Sequence, residues 1–504
     1  MSKAMEIVSG MTANFIPTSL ISEELAGVYG STLLQELGHL IKLYQDYEEG
    51  VDFTTEGSNG DYKPSKLYYK KAASLINKEA RFLFAKHPDI KVNVAYETGN
   101  KTSREQAQNA MSIYQGLIDR VFDKNHFYSK LLKAAKDCFI GKRVAWFANF
   151  NEENGSISVD FVPSMEFIAE YREDNQSELQ KIVTFYNLND YTNREDQRIF
   201  KKKYWLENGR CHVSETVYNG SGEVVEEVIP DRTTEFDFIP AGVIINDGLT
   251  GDVQGRSDME NLSDYEESYS RLANADIDSE RKAMNDVTYT IDMNPASTTN
   301  LSTAPGAFWD LQSDINMEGH TGSVGRLSSS MGYSGALDVT LNRITSMMYD
   351  TVDVPNVDLA TMAGTITSGK ALKAIYWPLI VKCDEKMLAW KPEIRKIVET
   401  IITGSRLYPN SAATYLNGEI LPEEEYTVLV ENQYPLPEDE TEEKTMDLAQ
   451  VSNKTMSIRS YMLKWTDKTA DEVEEELLQI VKEQQMLQSA FMPMPNAGEP
   501  TEEV

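Results

Sequence analysis

Three cysteines in 504 residues, Cys138, Cys211 and Cys383, are too few and too widely spaced for a disulfide framework or a thiolate cluster. They predict a reducing compartment. Histidine is equally scarce, with five residues, His39, His87, His126, His212 and His320. Their one close pairing, Cys211-His212, puts two donors on adjacent residues, a poor geometry for chelation. No G-x-x-x-x-G-K-[ST] run is present, which argues against ATP hydrolysis by a P-loop. The glycine-rich stretch from Gly319 to Gly325 lacks the lysine and the strand-to-helix context of a phosphate cradle and reads as a flexible loop. No run approaches the ~18 apolar residues of a membrane span, and Met1 to Val8 lack the apolar core of a signal peptide. The chain is therefore expected to be made and kept in cytoplasm. Basic residues are outnumbered, 48 Lys and Arg against 80 Asp and Glu, for a net charge of −32. That excludes a broad phosphate-gripping face, so any DNA is touched locally or merely guided. With so many acids, neighbouring carboxylates select no nuclease site, and neither a metal nor a cofactor is expected.

What is present is ample core material, 41% hydrophobic and 10% aromatic residues, in a chain longer than the roughly 250–300 residues one core supports. Leu33, Leu37, Leu40, Ile41 and Tyr44 share a helical face, and a break from Gly50 to Asp61 follows. Helices are predicted from Ser65 to Ala85, ending before His87-Pro88, and from Ser103 to Phe139. Lys91 to Tyr96 alternates like a strand. From Lys142 to Val243 strands and turns dominate, with Asn154-Gly155 and Asn219-Gly220 marking hairpins. The first half is a mixed α+β module.

At Asp258 the periodicity changes. A helix to Asn285 carries a narrow apolar seam, Leu262, Tyr265, Tyr269 and Leu272, among eight acids and three bases. Helices this polar are expected to find their partners in other copies of the chain. Val287 to Ser330 reads as a small strand-and-loop protrusion. Ser334 is positioned to cap a returning helix with the stripe Leu337, Leu341, Ile344, Met348 and Val352. Asn356 to Gly369 is a loop of small residues. The helix after it, from Lys370 toward Thr403, contains Pro378 and Pro392 and is expected to kink. Between Lys370 and Lys396 it holds seven bases and three acids, with Lys370 and Lys373 nearest the loop. These two lysines could meet phosphates or pair with a neighbour's acids. An acidic linker, Pro435 to Glu443, leads to helices opened by Ser457 and by a Thr469-to-Glu472 capping box.

This order of parts resembles the portal proteins of tailed bacteriophages, particularly those of long-tailed phages and prophages of Gram-positive hosts. The resemblance rests on Asn77 to Pro88 followed by a strand, Phe238-Ile-Pro240 with Asn246, Gly255-Arg-Ser-Asp258, the helix-loop-helix order through Thr365 to Leu372, and the acidic linker. It implies an α+β ring subunit with an α/β wing, a two-helix stem, a small α/β clip, a long kinked helix and a helical crown. Residues 1–257 and 370–437 would be wing, 258–285 and 334–353 stem, 286–333 clip, 354–369 a tunnel loop, 438–490 crown and 491–504 a disordered tail. The family implies a homododecameric ring, a structural rather than enzymatic role, and a place at the capsid vertex of the virion. Double-stranded DNA would be packaged and ejected through it. Implied partners are the terminase large subunit, major capsid and scaffolding proteins and a head-completion adaptor, with no membrane. The DNA-facing candidates are Asn356, Leu359, Thr361, Met362, Thr365, Thr367, Lys370 and Lys373. The stem-packing candidates are Leu262, Tyr265, Tyr269, Leu272, Leu337, Leu341, Ile344 and Met348. A phage-associated nuclease, or a structural ring of the tail or baseplate that carries no DNA, remains the alternative.

Overall fold

The computed structural model describes residues 30–55, 63–97, 100–188, 196–284, 287–298, 311–313, 322–327, 332–357, 369–436, 440–466 and 470–490. Two units result, Met1–Val357 with Tyr376–Pro435, and Asp358–Ile375 with Leu436–Val504. The architecture is α+β.

In the first unit, α1 (Gly30–Glu49) is followed by α2 (Lys71–Phe84), β1 (Asp89–Val94), α3 (Lys101–Asn125) and α4 (Phe127–Gly141). The single helix expected from Ser103 to Phe139 is two, because His126 turns left-handed at φ 50° and ends one helix as it starts the next. That uncommon conformation for a non-glycine residue stacks Phe122 on Phe127 with ring centroids 4.0 Å apart. Helix α2 likewise starts six residues later than Ser65, for a reason that lies in the segment before it.

Strands β2 (Arg143–Asn151), β3 (Ser156–Pro163) and β9 (Ala241–Ile245) form one antiparallel sheet in the order β3-β2-β9. Strands β4 (Phe167–Tyr171), β5 (Leu179–Asn187), β6 (Ile199–Glu207), β7 (Arg210–Tyr218) and β8 (Val224–Thr233) form a second, in sequence order. Asn154-Gly155 lies in the β2–β3 turn, with Gly155 at φ 56°. The β7–β8 hairpin has a longer loop, in which Asn219 Oδ1 accepts from the backbone N–H groups of Ser221 and Glu223 and Gly222 is the left-handed residue. Phe147, Phe167, Ile182, Tyr204, Val213 and Phe236 pack between the sheets.

After the sheets come α5 (Asp258–Met284), β10 (Val287–Ile291), α6 (Pro295–Thr298), β11 (Ser323–Leu327) and α7 (Ser334–Thr351). β10 and β11 pair antiparallel, so the latter half of the glycine-rich stretch is strand rather than loop. Ser334 does not cap α7; the residue before the helix is Tyr333, which makes no side-chain cap bond. Next are α8 (Gly369–Ile375), in the second unit, and α9 (Trp377–Leu407) and α10 (Pro409–Leu416) in the first. The one long helix expected from Lys370 is thus broken at Tyr376. Pro378 falls in the first turn of α9, where its missing N–H costs nothing, and only Pro392 is interior. Trp390, Ile394, Ile397, Val398 and Ile401 form the buried face of α9. β12 (Tyr426–Glu431) pairs antiparallel with β1. The outer edge of β1 is closed by the Gln115 carboxamide, which accepts from Val92 N at 3.1 Å and donates to Ile90 O at 3.0 Å.

The second unit contains α8 and the helices α11 (Glu440–Ser452), α12 (Ile458–Trp465) and α13 (Ala470–Ala490). Ser457 caps α12 by accepting from Ser460 N. Thr469 of the expected capping box lies outside the described residues.

Candidate functional site

The helix that begins at Asp258 is positioned by a buried ionic junction. Gly255 stands at φ +74°, and a Cβ there would lie 2.7 Å from both Asn246 O and Lys142 O, so the turn into α5 requires glycine. Asn246, enclosed by that turn, donates from Nδ2 to Arg256 O and to Asp258 Oδ2, each at 2.8 Å. Lys386 of α9 donates to Asn246 Oδ1 and Asp258 Oδ2, both at 2.7 Å, and lies 3.3 Å from Glu79 Oε1 of α2. Lys382, one turn earlier, sits 3.3 Å from Glu79 and 3.4 Å from Asp258. Two ammonium groups and two carboxylates thus meet where α2, α5 and α9 converge. The sequence pointed at Lys370 and Lys373 for charge contacts; this junction uses Lys382 and Lys386 and stays within one chain.

Burial works against ionisation of Asp258, yet Lys386, Lys382 and the hydrogen bonds of Lys386 and Asn246 hold it below the usual carboxylate range. Glu79 goes the other way: burial and the charge of Asp258 raise it more than the lysines lower it. Lys386 pays a burial penalty on its charge, but Asp258 and Glu79 keep it above the ordinary lysine value.

Beyond the junction, the inward face of α5 is polar. Glu266, Ser270 and Asn274 are buried. Glu266 Oε2 accepts from Ala72 N at 2.6 Å, capping the first turn of α2, whose own N-cap Lys70 is left-handed and makes no cap bond. Asn274 accepts from Leu67 N at 2.8 Å and donates to Leu67 O at 2.9 Å. Asp278 accepts from Ser65 N at 3.0 Å. The segment from Ser65 to Lys70 is therefore an extended strap laid along α5, which is why α2 starts late. The expectation that so polar a helix must find its partners in other copies is corrected for this face: Glu266, Asn274 and Asp278 bond within their own chain. Their fourfold spacing from Leu262 was the available signal, masked because polar residues at helical spacing read as solvent-facing.

Of the seam residues, Leu262 is fully buried, while Tyr265, Tyr269 and Leu272 are half-buried. Tyr269 packs edge-on against Tyr69 with centroids 5.2 Å apart and lies under Lys71 Nζ at 4.3 Å. On α7, which packs on α5, Met348 is buried and Leu337, Leu341 and Ile344 are half-buried. Val339 and Met347 of the same helix are exposed at 65% and 47%, so these two apolar side chains have no cover among the described residues.

The loop candidates fare differently. Asn356 is exposed at the end of the described segment. Leu359, Thr361, Met362, Thr365 and Thr367 lie outside the described residues. Lys370 stands in the first turn of α8, and Lys373 is exposed on it. Among the described residues, no group of three or more His, Cys, Asp or Glu could hold a metal ion, and no helix is long and apolar enough to cross a membrane. The three cysteines are free and buried.

Residues 32–490 match the family model described as phage portal protein, SPP1 Gp6-like. No curated protein matches the chain.

Proposed function

The chain belongs to the SPP1 Gp6-like family of phage portal proteins, and on that premise we propose how its parts divide the work of a DNA conduit. Its function is that of the family, a structural component of the capsid vertex that forms the channel for packaging the viral genome. The extent of the match, across nearly the whole chain, carries that conclusion.

Copies of the chain associate head-to-tail into a ring, a dodecamer in the virion, with α5 and α7 as the stem around the channel. Support comes from Val339 and Met347 of α7, uncovered among the described residues, and from the acids on the outward side of α5. Residues 1–257 and 370–437 serve as wing, 286–333 as the clip that meets the terminase large subunit and later a head-completion adaptor, and 438–490 as crown. Major capsid and scaffolding proteins contact the assembled ring. With −32 per subunit, such a ring repels the duplex over most of its channel, which lets DNA slide without being held. Loop residues 354–369, with Lys370 and Lys373, supply the local contacts. The protein carries out no catalysis itself; a separate ATP-driven motor moves the DNA.

Native mass spectrometry with negative-stain class averages tests the assembly. A ring with a hole wider than a duplex, about 20 Å judged from groove dimensions, is expected. A compact closed particle would overturn the conduit. Replacing the loop by Gly-Ser should leave rings intact but impair packaging, and unimpaired packaging would reassign the loop.

A further inference from the structure

One pocket of about 210 Å³ opens between the start of α2 and the second half of α7, lined among others by Tyr69, Lys71, Ser74, Met348 and Tyr349. Three lysines stand at or beside it: Lys70, Lys71 and, two turns further along α2, Lys78. In a chain with 80 acids against 48 bases, none of the three pairs with a carboxylate among the described residues. Their partners are neutral. Lys70 donates to the backbone oxygen of Glu48, Lys71 sits over the Tyr269 ring, and Lys78 donates to Tyr349 Oη at 2.7 Å while lying over its ring at 4.8 Å. Glu266, buried on the facing stretch of α5, is committed to the backbone of α2's first turn.

The opposite side of α5 shows the complement. Asp264 is exposed and Glu267 half-buried, and neither takes part in an ion pair among the described residues. At 3.6 residues per turn they lie roughly 140–160° around the helix from Tyr269, whose ring lies under Lys71. Cationic pocket and acidic ridge therefore occupy opposite faces of the same helical layer. That is the arrangement a head-to-tail contact needs if it is to repeat around a ring, because each copy offers a different patch to each neighbour.

We propose that the Lys71–Lys78 pocket is the socket for the outer face of α5 from a second copy of the chain, whose Asp264 and Glu267 meet these lysines. The inference rests on the ring reading above and adds to it the faces in contact and the charge pairs that set their register. Charge complementarity at such a rim governs encounter and partner choice, and like charges opposed there are strongly unfavourable. A phosphate of the duplex is the other anion that could enter the pocket, but one wall of the pocket is the stem helix α7 itself, through Thr345, Met348 and Tyr349, next to which a second stem helix brings carboxylates at helical spacing.

The test uses the full chain in three charge-reversed forms: Lys71→Glu with Lys78→Glu, Asp264→Lys with Glu267→Lys, and all four together. Native mass spectrometry and sedimentation read the concentration at half assembly. Each double variant should raise it more than about tenfold, and the fourfold variant should return it close to the unmodified protein. Lys71→Gln with Lys78→Gln, whose thermal melting should stay near that of the unmodified chain, should weaken assembly in the same direction by less. Undisturbed assembly in either double variant, or a fourfold variant no better than the doubles, would overturn the socket while leaving the portal reading intact. Rings that form normally from the lysine-reversed chain but retain a short DNA duplex less well would give the pocket to phosphate instead. Failure of the unmodified chain to assemble at any concentration would remove both the socket and the ring beneath it.

Discussion

Replacing Lys386 by Met tests the junction most severely. The substitution keeps the length and apolar stem of the side chain, including its place beside the Phe139 ring, whose centroid lies 4.0 Å from Nζ. It deletes the donor that Asp258 and Asn246 share and leaves two carboxylates facing Lys382 alone, at 3.3 and 3.4 Å. Breaking one partner out of a buried pair strands a desolvated charge and costs about 3–5 kcal/mol, whereas replacing both partners costs far less. Adding Asp258→Asn should therefore restore most of the loss, a coupling that independent sites do not show.

The pH dependence follows from the same charges. In the intact protein Asp258 is held low, so its share of stability is present above the unfolded value near 3.8 and lost as pH falls through its folded one. Without Lys386 the main opposing charge is gone, and burial carries Asp258 upward to join Glu79. Both then bind protons in the folded state that the unfolded chain releases, so the penalty of Lys386→Met should shrink as pH falls from 8 toward 5. Urea unfolding followed by fluorescence of Trp146 and Trp390, both essentially inaccessible to solvent, reads this at each pH. A double variant as unstable as the sum of its singles, or a penalty flat from pH 8 to 5, would refute the junction as an ionic unit.

Gly255→Ala should lower the melting temperature and cost more than the ~1 kcal/mol of an ordinary left-handed alanine, because its Cβ meets two backbone carbonyls at 2.7 Å. Asn274→Ala strips Leu67 of both its partners, and hydrogen exchange at residues 65–72 should speed up by roughly ten- to a hundredfold, matching about 1–3 kcal/mol, while α9 stays protected. Burial raises Asp137 to about 6. The stability this lends is full below the unfolded value near 3.8 and lost as pH rises through 6, so urea midpoints should climb between pH 7 and 5, and Asp137→Asn should flatten that climb.

The features legible from sequence are the local ones. Asn154-Gly155 and Asn219-Gly220 announced their hairpins because turn chemistry is decided within four or five residues. Ser457 announced α12 for the same reason. The apolar face of α9 was harder to place, since Pro378 looks like an interruption until it is seen to sit in a first turn. His126 carried no warning: nothing in Asn125-His126-Phe127 demands a left-handed residue, although that conformation is what brings Phe127 onto Phe122. The strap and the junction were illegible for a different reason. Leu67 and Asn274 are separated by 207 residues and Lys386 and Asp258 by 128, and the polar side chains concerned resemble a solvated helix face in every local respect.

Asn246 and Gly255 to Asp258 stood out only as a pattern of resemblance, and the structure supplies its physical cause. Gly255 admits the two carbonyls that close the turn, Asn246 fills the space so enclosed, and Asp258 delivers the charge that Lys386 requires. Each residue makes sense only with the others present. The consequence is mechanical as well as thermodynamic. A sliding or rotation of α5 against α2 and α9 would separate desolvated charges before new partners formed, and would strip the backbone of the strap at Ser65, Leu67 and Ala72 in the same movement. The base of α5 consequently moves with α2 and α9 as one body. On its outer face Glu260, near the base, still pairs with His39 and Lys142, but further along Asp264 and Glu267 make no side-chain bond or ion pair among the described residues. The polar residues of this one helix thus divide in role, Glu266, Asn274 and Asp278 making it rigid within the subunit while Asp264 and Glu267 remain available to a neighbour.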